Sequence, residues 1–429
     1  MGIYFTQMQK FLVFFLIVLS TRGEGYAQDS AVFFKGAIKE NRNKVQRNII
    51  QNTITKNLSL PLNGDTEDNW TDAFEAMELT RYNSPWTDAK VQLAFDSIGY
   101  RGLGFQRSLL ELAYARYPRL FAKQAEALSG TTPDSKIYAM CIEYLLLNSH
   151  SITPQSLAKG RLLRVKNEKD EAIEKQLLYH VTNIQKQNSK SALTEILSPS
   201  FLKNNIVLYS IQRKNRNYPG LVIIKDSTGN FVKDDMGHLF SVPQLAKSIA
   251  NLPCYLTNGN TPQGIYRMYG FAISRSNFIG PSANVQLTMP FETSIGHFLN
   301  DSTITDTVWT EDWYKKLLPP RIKNYQPFYE SFYAGKAGRT EIIAHGTTVD
   351  PGYYTGEPYY PHTPTMGCLC TMELWSGING KRLESNQQKL VNALQKAGGA
   401  RGYCVVIEID DQQKAVDQDE ILLLVKPQS

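Results

Sequence analysis

Cysteine is scarce in this chain: five in 429 residues, Cys141, Cys254, Cys368, Cys370 and Cys404. That is too sparse a set for a disulfide framework at this length. The odd count leaves at least one thiol unpaired, or paired between chains, in an oxidising compartment. Long apolar runs are missing as well. The unbroken run from Phe11 to Leu19 is too short to span the ~30 Å hydrocarbon core of a bilayer. With Lys10 before it and the small residues Gly25 and Ala27 after it, the run reads as a secretory signal cleaved after Ala27, and residues 1–27 are expected to be removed on export to the periplasm or beyond. Nor is there a mass of one charge. The formal net charge is +6 with the basic residues scattered, so no nucleic-acid partner is expected.

What is present divides into two rhythms. After an extension over 28–64, residues 65–200 carry helical periodicity. Phe105, Leu109, Leu112 and Ala113 share one face until Pro118, and Phe121, Ala125 and Leu128 share the next. Ile137, Met140, Cys141, Tyr144 and Leu145 mark a third helix, and Ile173, Leu177, Val181 and Ile184 a fourth. Several short helices joined by turns resemble a repeat module, although no clean period emerges. His150 and His180 read as packing or surface residues at helix edges. From about 201 to 429 the signals turn β: "NNIVLYSIQ", "YPGLVIIKDSTGNFV", "GIYRMYGFAI", "ANVQLTMPF", "RTEIIAHG", "GYCVVIEID" and "EILLLV". Helix-like pieces at "SVPQLAKSIANL" and "SNQQKLVNALQKAGG" interrupt them. The expected fold class is therefore α+β, a helical N-terminal half followed by a mainly β domain, with "SPSFLKNN" as the boundary.

Chemistry concentrates in "IIAHGTTVD" and "PHTPTMGCLC", which bring His345, His362, Cys368 and Cys370 close in sequence. A metal is the poorest reading, because structural zinc sites use C-x2-4-C pairs and no second knuckle exists; no metal and no cofactor are expected. A disulfide between Cys370 and Cys404 requires their strands to be neighbours. Cys141 and Cys254 sit in apolar settings and read as small buried hydrophobes. The nucleophile reading uses the most residues. A cysteine attacks as thiolate and needs an imidazole near it. Gly367 lets the backbone approach a reacting carbonyl, and the N–H groups of Met366, Gly367 and Cys368 are candidates for the oxyanion. His362, in the Tyr/Pro-rich insert "PGYYTGEPYYPHTP", reads first as a solvated surface-loop histidine and second as a residue lining the cleft. Tyr353, Tyr354, Tyr359 and Tyr360 either form a lid or pack the insert down. His238 and His297 have no motif around them.

"HGT" at 345–347 and "T-x-G-C" at 365–368 resemble the signature of the L,D-transpeptidase catalytic-domain family (YkuD-like). "NGNTPQGIY" resembles that family's Thr-Pro-x-Gly segment, and "GYCVVIEID" the strand after the cysteine. The resemblance covers about 205 to 410 and leaves the helical half out. It implies Cys368 as the acylated nucleophile, His345 as its base, the Gly346 carbonyl as the group orienting the imidazole, and Gly367 with its neighbours as the oxyanion hole. Thr365 matches the motif's Ser/Thr position. Thr365, Met366, His362, Tyr360 and Arg339 are the expected substrate-facing residues. The sequence departs from the family's pattern in a longer His345-to-Cys368 segment, in Met366 where many members have histidine, and in Cys370 where an Arg or Asn is usual. An Arg there would hold a donor carboxylate bidentately, so Lys336, Arg339, Arg382 or Arg401 is expected to take that part.

The resemblance implies an exported cysteine acyltransferase acting on peptidoglycan stem peptides, with cross-linking or L,D-carboxypeptidase outcome and a possible protein partner for the helical half. Two other classes stand beside it: a non-catalytic cell-wall-binding or scaffolding protein that retains the fold, and a thiol redox protein using Cys368 with Cys370.

Overall fold

The computed structural model describes residues 32–148, 152–183 and 190–425. The expected signal segment, His150 and Ile184 lie outside them. Helices run from Lys39–Asn48 to Lys190–Ile196, and strands begin at Ile206, so the chain is mixed helix and sheet. Local chemistry starts the helices. Ser84 and Thr87 form a reciprocal capping box with Pro85 in the first turn of Pro85–Asp96, and the Asp134 carboxylate accepts the Ile137 N–H at the head of Ser135–Leu147. Phe105, Leu109, Leu112, Ala113, Phe121, Ala125, Leu128, Ile137, Met140, Cys141, Tyr144, Leu145, Ile173 and Leu177 are all buried. No helix among the described residues is long and apolar enough to cross a membrane.

Among the described residues ten strands follow: β1 Ile206–Gln212, β2 Gly220–Lys225, β3 Val242–Gln244, β4 Gly264–Ala272, β5 Asn284–Thr288, β6 Ile343–His345, β7 Leu369–Cys370, β8 Glu373–Trp375, β9 Arg382–Ser385 and β10 Arg401–Glu408. Eight of them make one sheet in the order β3-β2-β1-β10-β4-β5-β6-β7, and β8 pairs with β9. The residue after β3 bridges back to β7: the Leu245 and Cys370 N–H groups each donate to the other's carbonyl at 2.8 Å. This one short bridge nearly closes the sheet on itself, which leaves little exposed edge.

Period two sorts the core into two layers. Val207, Tyr209 and Ile211 of β1, with Tyr403, Val405 and Ile407 of β10, face the layer that continues into Trp70, Phe74 and Leu109 of the helical half. Ile206, Leu208, Cys404 and Val406 face the other layer, which is closed by Leu390, Ala393 and Leu394 of helix Asn386–Lys396. The helical half therefore covers one face of the sheet and shares its core.

Two expected elements differ. "EILLLV" forms helix Gln418–Val425 rather than a strand. Its continuous apolar run carries no alternation to separate strand from helix, and the two sides differ, with Ile421 buried and Leu423 exposed. "SVPQLAKSIANL" is not a helix. Val242–Gln244 joins β2, and the chain continues extended past β7 and the 365–368 turn, so pairing with distant segments overrides the local pattern.

Candidate active site

Ala344 and Leu369 are register partners in the parallel pair β6–β7, and both point into the layer under helix Asn386–Lys396. Their neighbours His345 and Cys368 consequently project from the opposite face of the sheet. Thr371 ties the far end of the pair: its N–H donates to the His345 carbonyl at 2.9 Å. The buried Gln387 amide donates to the Ala344 carbonyl at 3.1 Å and to the Ala283 carbonyl at 2.8 Å, which locks β6 in place.

His345 is 5 % exposed. Its Nδ1–H donates to the Gly346 carbonyl at 2.5 Å. That bond fixes the tautomer and leaves Nε2 as the basic nitrogen. Burial pushes the imidazole pKa down to about 4, partly offset by the Gly346 bond, so the ring is neutral near pH 7. Cys368 is half-buried, with its thiol donating to the Glu341 carbonyl at 3.5 Å. Burial pushes its pKa up to about 11, against the pull of the Ile343 N–H and the Arg339 charge. Near pH 7 the two groups are a thiol and a neutral imidazole, not an ion pair.

The turn before Cys368 is built by three separate segments. Gly367 has φ +112°, a conformation that glycine adopts readily. A Cβ there would lie 2.6 Å from the Gly259 carbonyl oxygen and against the Arg339 guanidinium. Thr261, the threonine of "TPQG", donates its hydroxyl to the Gly367 carbonyl at 2.8 Å. Thr365 accepts the Gly367 N–H at 3.0 Å and donates to the Cys368 carbonyl at 2.9 Å. The Gly367 N–H is therefore engaged and is not an oxyanion donor, contrary to expectation. The Cys368 and Met366 N–H groups find no internal acceptor among the described residues. Gly367 serves instead by letting its own backbone, the Gly259 carbonyl and the Arg339 guanidinium meet, and Thr365 by stapling the turn from within.

Arg339, expected to face substrate, is 6 % exposed and lies under the turn. It donates to the Cys254 carbonyl, to the Asn260 carbonyl at 2.8 Å and to the Gly259 carbonyl at 2.9 Å. It is a buried brace whose charge favours the Cys368 thiolate. Beside it lies a cavity of about 360 Å³ lined by Glu168, Lys169, Glu292, Lys336 and Thr340 among others. Arg382 instead donates to the Ser282 hydroxyl at 2.8 Å and to Gln388 at 3.2 Å. Arg401 is exposed at the start of β10.

His362 is not the surface histidine its loop suggested. It is 7 % exposed, its Nδ1 meets the Tyr359 carbonyl at 3.2 Å, and its Nε2 has no partner. Burial pushes its pKa down to about 4. The insert packs down rather than standing as a free lid. The Tyr354 hydroxyl donates to the Leu79 carbonyl at 3.0 Å, Arg81 pairs with Glu357, and Tyr354 and Tyr359 are buried with Leu245. Tyr360 and Met366 remain exposed. Cys370 is buried, its thiol facing Thr363 at 3.9 Å and the Thr371 carbonyl at 3.7 Å. Burial pushes its pKa up to about 12. A side chain at this place meets the interior and grips no ligand. Cys370 and Cys404 lie on strands separated by β4, β5 and β6, and all five cysteines are free. Among the described residues no cluster of His, Cys, Asp and Glu could hold a metal.

Sequence reasoning did not single out Gly259, Gln387 or Glu373. Thr261 and Gly259 lie inside the quoted "NGNTPQGIY" and were within reach of it. Glu373, in "CTMELW", carries no spacing signal. Comparison of the chain with protein-family models, with curated proteins and with solved structures finds no match.

Proposed function

We propose that the protein is an exported cysteine acyltransferase of the L,D-transpeptidase type, acting on peptidoglycan stem peptides through a Cys368 thioester. The observation that carries this reading is the His345 Nδ1–H···O=C Gly346 bond. It presents an unprotonated Nε2 on the face of the sheet from which Cys368 also projects. The Thr-Pro-x-Gly segment, met in the sequence far from the cysteine, supports it by bonding the Gly367 carbonyl through Thr261.

In this mechanism the Cys368 thiol gives its proton to His345 Nε2 while the sulfur attacks the donor carbonyl. The Cys368 N–H, with the Met366 N–H beside it, receives the developing oxyanion. The imidazolium then protonates the departing amine, D-alanine in a tetrapeptide stem, and a thioester remains. An amine of a second stem resolves the thioester as a cross-link, or water resolves it as a carboxypeptidase. With Cys370 buried, the cavity carrying Lys169 and Lys336 is where a donor carboxylate would find cations.

The test is mass spectrometry of the intact protein after exposure to a carbapenem. A covalent adduct is expected in the wild type and absent in Cys368→Ala and, at matched time, in His345→Ala. A second reading, a wall-binding scaffold that keeps the fold, is favoured by the high thiol pKa and by Cys370 in place of an arginine. It predicts no adduct, with wild-type function in Cys368→Ala.

A further inference from the structure

Glu373 is a buried carboxylate packed against Gly346, and the mechanism above gives it no part. Its side chain is wholly buried. The Ser282 and Ser385 hydroxyls both donate to its Oε1 at 2.5 Å. Ser282 is in turn the acceptor of the Arg382 guanidinium at 2.8 Å, which commits the serine proton to the carboxylate. Two hydroxyl donors on one oxygen, with a cation behind them, favour the ionised form of the carboxyl against its burial. Burial raises its pKa above the ordinary carboxylate value, and the two serine hydroxyls and Arg382 pull against that rise. The other oxygen, Oε2, has no hydrogen-bond partner, an unusual state for a buried carboxylate.

The direction of Oε2 is the informative part. A Cβ built on Gly346 would run into Oε2 and would lie 2.8 Å from Glu373 Cγ. The carboxylate is thus packed on the backbone of the residue whose carbonyl holds His345. The Gly346 carbonyl and the Thr347 N–H belong to one planar trans peptide and point in opposite directions. With the carbonyl turned to His345 Nδ1, the N–H is turned to Glu373, and the Thr347 N–H does favour its charged form. Trp375, two residues along β8, fixes the next peptide by donating to the Thr347 carbonyl at 2.8 Å.

We infer that Glu373 is a positioning residue for the His345–Cys368 pair, acting through the Gly346–Thr347 peptide: its carboxylate polarises and orients that peptide, so that the Gly346 carbonyl holds the Nδ1–H and stabilises the imidazolium formed during attack. The inference rests on the reading of Cys368 and His345 as nucleophile and base. Charged and titratable neighbours of Glu373 are Arg382 from β9 and the Cys370 thiol from β7. Glycine is required at 346 because any Cβ would push the carboxylate off the peptide.

The test is the pH dependence of Cys368 alkylation by iodoacetamide, read by peptide mass spectrometry on the full-length protein, with the His345 Nδ1–H proton resonance followed by NMR. In Glu373→Gln the alkylation rate at pH 7 is expected to fall about tenfold, in the range seen when partners that orient a functional histidine are removed, and the Nδ1–H resonance to move upfield. Ser385→Ala keeps the charge but frees one side of it, and a smaller loss of the same sign is expected; it carries the test should Glu373→Gln fail to fold. A profile and resonance unchanged from wild type, whatever happens to the melting temperature, overturns the inference. Failure of the underlying reading looks different: His345→Ala would then leave the wild-type profile unmoved.

Discussion

Replacing Gly367 by alanine tests how the site is built. At φ +112° a residue with a Cβ sits outside its allowed regions, a strain of about 1–3 kcal/mol. The new methyl would also lie 2.6 Å from the Gly259 carbonyl and against Arg339. Arg339 cannot swing away freely, because three carbonyls hold its guanidinium. Breaking one such charged hydrogen bond costs about 1.5–3 kcal/mol. The two contributions give roughly 2.5–6 kcal/mol, unless the turn itself moves and takes Cys368 with it. In a chain of 429 residues each kcal/mol shifts the midpoint by less than the roughly 2–4 °C typical of 150–250 residues, so the melting temperature should fall by about 5 °C. Where relaxation spares the stability, the displaced turn should instead slow carbapenem acylation of Cys368. Melting by circular dichroism and acylation by mass spectrometry are read on the same sample. Gly367→Ala with wild-type melting and wild-type acylation would refute the account of the turn.

Other outcomes follow from single contacts. Thr261→Val removes the hydroxyl that satisfies the buried Gly367 carbonyl; a loss of about 1–3 kcal/mol is expected, with slower acylation, and an unchanged rate would detach the Thr-Pro-x-Gly segment from the site. His345 and His362 both have pKa values near 4 against an ordinary 6.5. The unfolded chain therefore binds protons first, and the stability held above about pH 6.5 is lost as pH falls toward 4. Each is worth up to about 3 kcal/mol at 1.36 kcal/mol per pH unit, so His362→Leu should shrink the fall in melting temperature between pH 7 and pH 5; an identical fall would contradict its burial. A chain beginning at residue 201 lacks the layer formed by Trp70, Phe74 and Leu109 over β1 and β10. It should be aggregated or unfolded by size-exclusion chromatography and circular dichroism, and a monodisperse, cooperative fragment would refute the shared core.

The sequence was most legible where periodicity met strong punctuation. The helix faces from Phe105 to Leu177 and the strands at 206–212 and 401–408 needed only local pattern, since Pro118, Gly130 and Pro199 mark their limits. It misled where an apolar run could serve either geometry. "EILLLV" has no alternation, and "SVPQLAKSIANL" was decided by pairing with Cys370 and Thr365 more than a hundred positions away. The same distinction runs through the site. Gly367 announced itself because backbone conformation limits residue choice at a single position. Arg339 and His362 did not reveal their places, because burial depends on what folds over a side chain: three carbonyls from 254–260 in one case, the packed insert in the other.

The helical half is more than an appendage to this site. It reaches both segments that flank the Cys368 turn. On one side Asn258 donates to the buried Glu111 at 3.0 Å, Lys136 donates to the Thr257 hydroxyl at 2.7 Å, and the Tyr255 hydroxyl donates to Glu143 at 2.6 Å. These contacts hold the 254–260 segment whose carbonyls cradle Arg339 and crowd Gly367. On the other side Tyr354, Glu357 and Asp350 of the insert are held by the Leu79 carbonyl, Arg81 and Arg42. Surface ion pairs alone contribute little, but here they accompany buried tyrosines and a continuous core. The turn that presents Cys368 is thus clamped from two directions by residues between 42 and 143. A partner or substrate strand that shifted those helices would move Gly259 and Arg339 first, and through them the turn that carries Cys368, without touching Cys368 or His345.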